Sequence, residues 1–401
     1  MRKLSILFAA LLLVPAISQA ATLEDLLVEK GVITKAEAKA AGGAAPAKVY
    51  WNNGTRIEFP DTGFTAKINT QIQTRYEFTD GDEDIGNKNT SSFEFKRVRL
   101  EVAGTALHEE FFYKVQTDFV GTTEDNGEST PALKDAYLGW NACDWLALRM
   151  GQFKTAVSRQ YNTASWGLQF ADRSLASDYF DLGRMHGLHG SFDLADGQVK
   201  LGAGLFNGES TGEGVNRGGV DTRHTGVVDL RWNAMGEMNS FVEGDVDWTE
   251  DPALSLGAAY AFSDYTMTAD EFSTKMDKNV VSVDANFKVK GFSIHGEFFT
   301  ASVEPDDGDS VDPTGFYLQT GYFFYPKELE LAVRYSLVDY DLAADIAGLD
   351  KTNAVDVSIN YYWWKHNLKA QLGYAFLNYD GLEGTDDSNE TRWLFQVSSY
   401  F

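Results

Sequence analysis

From residue 64 onward the chain alternates apolar and polar positions with a period of two. In the first such run Phe64, Ala66, Ile68, Ile72, Tyr76 and Phe78 share one face, and Lys67, Asn69, Gln71, Gln73, Arg75 and Glu77 share the other. Successive side chains of a strand point to opposite sides, so the run reads as a strand with one greasy and one wet face. The pattern recurs along the chain. Val98, Leu100 and Val102 oppose Arg97, Arg99 and Glu101, and Leu329, Leu331, Val333, Tyr335 and Leu337 oppose Glu330, Arg334 and Ser336. These runs extend for about ten residues or more, whereas ordinary strands average about five or six. That greater length is what a tilted strand needs to cross a bilayer.

About sixteen such segments follow one another, and the connections between them sort by parity. Odd-numbered connections are long and acidic or Gly-rich: 79–91, 121–132, 154–185, 207–222, 263–278, 302–313, 341–351 and 381–391. Even-numbered ones are short, as at 107–110, 195–197, 290–291 and 364–367. Soluble β folds have no reason to sort loop length in this way, whereas an up-and-down outer-membrane barrel does. One connection breaks the rule. About twenty residues separate Trp232 from Ala253, which implies either an insertion on the short-turn side or a missed hairpin.

Inside a lipid bilayer every backbone N–H and C=O must find a partner, so an open sheet is excluded and the strands have to close into a ring. With about sixteen strands the interior is too wide for wall side chains to fill, which leaves an aqueous channel lined by the polar face of each strand. The fold class expected is all-β: a transmembrane antiparallel up-and-down barrel over 49–401. The third long connection, 154–185, stands out within it. Loops of that length are functional or disordered, and this one is rich in aromatic residues and carries Arg159, Arg173 and Arg184 close to Lys154. Folded inward, it would narrow the lumen and set cations at the narrowest point.

The N-terminus has a different pattern. Arg2 and Lys3 precede an apolar run over 4–17 and a small-x-small end at 18–20, which is the form of a secretory signal peptide cleaved after about Ala20. The run is too short, and too broken by Pro15, for a membrane-spanning helix. In 21–48 a partial helical stripe (Leu23, Leu26, Leu27, Ile33) and a Thr34/Glu37 capping-box spacing predict a short helical segment. It is followed by an AGGAAPA linker, as in a tether or small oligomerisation element.

A net charge of −25 argues against a polyanionic partner such as nucleic acid. Much of that charge sits in runs between strands: Asp80, Asp82, Glu83 and Asp84; Glu124, Asp125 and Glu128; Glu304, Asp306, Asp307, Asp309 and Asp312; Asp380, Glu383, Asp386 and Asp387. These are solvated loop tips, or sites that share divalent cations with lipopolysaccharide. The lone Cys143 excludes an internal disulfide and, beside Asp144, reads as a packed small residue. Six histidines (His108, His186, His189, His224, His295, His366) fall in no Ser/His/Asp or HExxH context, and the chain has no GxxxxGK[ST] loop. Neither an enzyme nor a metal or cofactor site is expected. The last strand, TRWLFQVSSYF, ends on Phe401, as in chains handled by the outer-membrane barrel assembly machinery.

Several stretches carry a family resemblance: FKRVRLEVAG (95–104), FFYKVQTDF (111–119), KDAYLGW (134–140), LRMGQFK (148–154), FADRS (170–174) and DLGRMHG (181–187). In this order, over 64–401, they resemble the phosphate-selective porin O and P family. The resemblance implies a sixteen-stranded outer-membrane porin of Gram-negative bacteria, usually a homotrimer, with an inward-folded third loop and basic residues that draw anions such as phosphate through. The candidate anion path is Arg97, Arg99, Lys114, Lys154, Arg159, Arg173 and Arg184, since charges at a low-dielectric constriction outweigh screened loop carboxylates. Glu101, Asp118, Asp135, Asp172 and Asp181 share the region, so a general or mildly anion-preferring pore is expected rather than strict phosphate selection. A general or cation-tolerant porin is the nearest alternative. An outer-membrane barrel enzyme and a structural or adhesive barrel belong to other classes.

Overall fold

The computed structural model describes residues 28, 30–32, 34, 47–81, 89–123, 129–208, 223–269, 272–306, 308–341, 349–381 and 387–401. The expected signal peptide, and the expected helical segment apart from isolated positions, lie outside the described residues.

A short antiparallel hairpin, β1 (Lys48–Trp51) and β2 (Thr55–Phe59), precedes the wall. The wall begins with β3 (Phe64–Gly81), β4 (Thr90–Ala106), β5 (Phe111–Thr123), β6 (Ser129–Cys143), β7 (Leu146–Lys154) and β8 (Arg184–Leu194). It continues through β9 (Val199–Asn207), β10 (His224–Met235), β11 (Ala253–Ala269), β12 (Phe272–Val289) and β13 (Phe292–Pro305). The last strands are β14 (Thr314–Tyr325), β15 (Leu329–Asp339), β16 (Leu349–Trp364), β17 (Leu368–Gly381) and β18 (Ser388–Tyr400). Each pairs antiparallel with the next, and β18 returns to β3 in a register running from Glu390↔Gly81 to Tyr400↔Gln71. Sixteen strands therefore close the ring. Beyond Phe401, β2 takes over the edge of β3 from Thr55↔Ile68, and the rings of Trp51, Trp364 and Phe401 cluster at centroid separations of 6.0–6.4 Å.

The alternation runs opposite to that of a soluble protein. On β15, Leu331, Val333 and Tyr335 are 45%, 41% and 39% exposed, while Glu330, Arg334 and Ser336 are 0%, 3% and 0% exposed. Only a hydrocarbon surround makes that arrangement favourable. At the short-turn end Trp145, Trp232, Tyr325, Trp363 and Trp364 form an exposed aromatic girdle, where amphipathic rings match headgroups. Cys143, expected to pack, is exposed at the end of β6 in this same zone.

Loop parity holds at most connections, with one difference in extent. The stretch 263–278 has the length of a loop, but β11 and β12 continue their ladder from Ser263↔Lys278 to Ala269↔Phe272.

The larger departure concerns the lumen. On each of β9–β15 at least one inward position is apolar rather than part of the polar channel lining expected. Phe206, Val227, Ala261, Val280, Phe299, Tyr317 and Val338 point inside and pack with Val157, Ala176, Phe180 and Leu182 of the third long loop. Phe180 stacks flat on Phe299 at 5.2 Å, and each fully buried ring contributes about 2 kcal/mol. These inward apolar residues fix the loop against one side of the ring. The connection after β10, residues 236–252, proves to be an insertion that also folds inside. Val246 packs there on Phe323 and Tyr362, and Glu243 and Asp245 are almost fully buried.

Candidate channel constriction

The third loop, here L3 (155–183), leaves β7 and begins a short helix α1 (Arg159–Asn162) capped by Ser158, whose Oγ accepts from the Tyr161 N–H at 3.1 Å. The first N–H groups of a helix have no partner within it. Glu297 of β13 supplies one, accepting from the backbone N–H of Arg159 at 2.6 Å and of Gln160 at 3.2 Å. A 3-10 turn at Ser165–Gly167 and a second helix, α2 (Leu175–Phe180), follow.

Gln169 is the hub of the seat. Its backbone N–H donates to Glu243, its carbonyl accepts from Asn360 and Gln371, and its side chain bonds Glu330, Ser293 and Gln319, at 2.6–3.3 Å. Gly321 on β14 makes this approach possible, because a Cβ there would lie 2.0 Å from Gln169 Nε2. Farther along, Arg75 holds Asp172 with two bonds of 2.7 and 3.0 Å. Burial alone would raise the Asp172 pKa, but the Arg75 guanidinium overrides it and holds the carboxyl well below the usual range.

The free edge of L3 faces β3–β8 across the remaining opening, where the candidate residues divide into three groups. Arg99, Lys114 and Arg184 are matched by carboxylates: Arg99 with Asp118 at 2.7 Å, Lys114 with Glu101 at 2.9 Å and Asp135 at 3.2 Å, Arg184 with Asp135 at 2.7 Å. Arg97, Lys154 and Arg173 have no carboxylate within 4 Å among the described residues. Arg97 donates to Gln73 at 2.8 Å. Lys154 and Arg173 both donate to the Tyr161 and Thr163 carbonyls at the end of α1, at 2.6–3.2 Å.

Arg159 forms the third group and requires a correction. It is 2% exposed and lines no water path. Its guanidinium donates to Glu243 Oε1 at 3.0 Å, to the Ser240 carbonyl at 3.2 Å and to the Tyr317 hydroxyl. A loop arginine reads as solvent-facing in sequence, and its partner lies 84 residues away on the insertion.

Two cations of the throat escape the sequence pattern. Lys96, with Nζ 4.0 Å from Asp172, stands where the β3–β4 register shifts between Gln73 and Thr74. Lys134, with no carboxylate within 4 Å among the described residues, stands where β5–β6 shifts between Gln116 and Thr117. A bulge turns an extra side chain inward and breaks the parity by which such residues are found. Arg75 was legible, since it falls on the polar face of the first strand.

Lower on the same wall Ser191, His189 and Asp229 come into line, which their separation in the chain conceals. His189 Nε2 lies 3.0 Å from Asp229 Oδ2, and Nδ1 lies 3.4 Å from Ser191 Oγ. They meet over Gly202 of β9, where a Cβ would lie 1.9 Å from Asp229. The backbone around Ser191 is paired on both sides in the ladders with β7 and β9, which engages the N–H groups of that strand. Among the described residues no cluster of three or more His, Cys, Asp or Glu side chains is placed to hold a metal.

A closed sixteen-stranded ring with an apolar outer face and an inward third loop defines an outer-membrane porin channel. The chain belongs to the phosphate-selective porin O and P family, which matches residues 67–396. A protein of Aquifex aeolicus (strain VF5) described as uncharacterized is 27% identical over 451 aligned positions, covering 100% of both chains. Among solved structures, the anion-selective porin from Comamonas acidovorans superposes with a TM-score of 0.60 at 14% identity, over 84% of this chain and 100% of that one. The outer membrane channel DcaP of Acinetobacter baumannii gives 0.60 at 14%, over 84% and 98%. The trimer form of Vibrio cholerae OmpT gives 0.57 at 10%, over 84% and 99%. At these identities the likeness is one of fold.

Proposed function

We propose that the channel passes small hydrophilic solutes with a mild preference for inorganic anions, phosphate among them, without capturing phosphate tightly. The observation that carries this reading is the set Arg97, Lys134, Lys154 and Arg173: four cations at the constriction with no carboxylate within 4 Å among the described residues. Asp118, Asp135 and Asp172 interrupt the cationic wall, and a broken series supports selection by field rather than a specific site. Planar-bilayer reversal potentials in a KCl gradient test the sign. One unit charge about 4 Å from the permeating ion is worth about 1 kcal/mol in a water-like medium. Arg97→Ala or Arg173→Ala should therefore lower anion permeability and raise cation permeability, each by up to about fivefold, so that their ratio falls by about fivefold or more. An unchanged ratio in both variants refutes the assignment. Millimolar phosphate should reduce chloride current only partly, and complete block would show a tight phosphate site.

The rest of the biology follows from the same reading. The chain is exported through a signal peptide over 1–20, and its 21–48 segment acts as a tether or oligomerisation element. Family resemblance and the trimer form of OmpT support a homotrimer. Outer-membrane lipid and lipopolysaccharide surround it, and the barrel assembly machinery receives the strand that ends on Phe401. N-terminal sequencing of membrane-extracted protein should begin near Ala21.

A further inference from the structure

We infer that the 236–252 insertion is a second constriction element, and that Glu243 on it fixes the position of L3 and with it the bore of the channel. This rests on the channel reading above. The insertion crosses the lumen below L3, from the end of β10 to the turn between β16 and β17. Glu243 meets L3 at four places. Its Oε1 accepts from Arg159 and from Gln160, each at 3.0 Å, and its Oε2 accepts from the Gln169 N–H at 2.9 Å. Its backbone N–H donates to the Gly167 carbonyl at 2.9 Å.

The insertion is itself held by the wall. His366 Nε2 lies 2.9 Å from the Glu243 carbonyl, and Lys288 donates to the Val242 carbonyl at 2.7 Å. Asp245 accepts from the Gly291 N–H at 2.7 Å, and Lys365 pairs with Asp247 at 2.5 Å. L3 thus has a rigid stop beneath it rather than open lumen.

The Arg159–Glu243 pair makes the contact all-or-none. Both side chains are 0% exposed. Burial disfavours each charge, yet Arg159 holds the Glu243 carboxyl well below its usual range, while Tyr317, Glu243 and Glu297 raise the Arg159 pKa. Removing one partner strands a buried charge, which is strongly destabilising, whereas replacing both by apolar residues of similar volume is often neutral. Glu243 is therefore a positioning residue. It touches no solute and acts through Gln169, Gln160 and Arg159.

Single-channel recordings of the full chain test this with Glu243→Ala and the double variant Arg159→Leu/Glu243→Leu, each checked for a closed barrel by heat-modifiable migration in SDS gels. In Glu243→Ala, Arg159 is left without its counter-ion and L3 leaves its seat. Unitary conductance should rise about twofold, with added open-channel noise. The double variant should return conductance and noise toward wild type. Should Glu243→Ala fail to close, recovery of a closed barrel with wild-type conductance in the double variant supports the inference. A closed Glu243→Ala barrel with wild-type conductance overturns it, as does loss of closure in both variants. A wild-type protein that passes no current would instead refute the channel reading.

Discussion

Asp181 sits on the lip of L3, half-buried, with Asp178 one turn before it and Arg173 and Lys154 nearby. Burial and the like charge of Asp178 push its pKa up to about 7, although the Gly183 N–H and the two cations favour the ionised form. The sign follows directly. Above about pH 7 the carboxylate offsets one cation at the throat, and below it the neutral acid no longer opposes Arg173 and Lys154. Reversal potentials measured at about pH 8 and about pH 6 should therefore shift toward greater anion preference on acidification. Asp181→Asn should show the low-pH value at both. If that variant keeps the wild-type pH dependence, another group is titrating. Asp172, held low by Arg75, contributes no such dependence in this range.

At the scale of elements, L3 is a rigid body because three surfaces hold it: the apolar wall of β9–β15, the polar hub at Gln169 and the insertion below. Gly321→Leu tests the hub without removing a charge. The new Cβ falls 2.0 Å from Gln169 Nε2 and 2.7 Å from Glu330 Oε1, so the Gln169 side chain must leave its place, and either the strand or the loop must make room for the rest of the leucine. The strand is paired on both sides, which leaves the loop to yield. Overpacking of this kind costs about 1–3 kcal/mol. Higher unitary conductance is expected, whereas wild-type conductance in a folded Gly321→Leu barrel would show that Gln169 re-seats. The barrel and the loop that narrows it were legible in the sequence, since lipid enforces alternation residue by residue and loop length follows parity. The seat was not. Phe206, Val227, Val280, Phe299 and Val338 stand on faces expected to be wet, and a two-state pattern cannot say whether an inward apolar residue meets water or a folded loop. The insertion announced itself only as a connection too long for its side of the membrane. Its inward course depends on Glu243 finding Arg159 and Gln169, pairings between distant segments that no local periodicity encodes.

On the whole-molecule scale the two charge systems oppose each other. The net charge is −25, and acidic runs such as 82–84 and 383–387 lie in sequence between strands, apart from the residues of the cationic throat. Their reach differs with salt: the screening length is about 30 Å at about 0.01 M, about 8 Å at about 0.15 M and about 3 Å at about 1 M. In dilute salt the chain's excess carboxylates reach the throat through their field and offset its cations. At intermediate salt they are screened from the path, while Arg97, Lys134, Lys154 and Arg173, within a few ångströms of a permeating ion in a low-dielectric constriction, still act. At high salt both fade. The anion-to-cation permeability ratio should accordingly pass through a maximum near about 0.15 M rather than fall steadily. Reversal potentials at a fixed twofold gradient, taken across this series, read it directly. A ratio that only declines from the most dilute condition would mean that the acidic loops stand clear of the ion path and the throat alone sets selectivity. A cation-selective channel at every concentration would mean that the cations assigned to the throat do not face the permeating ion.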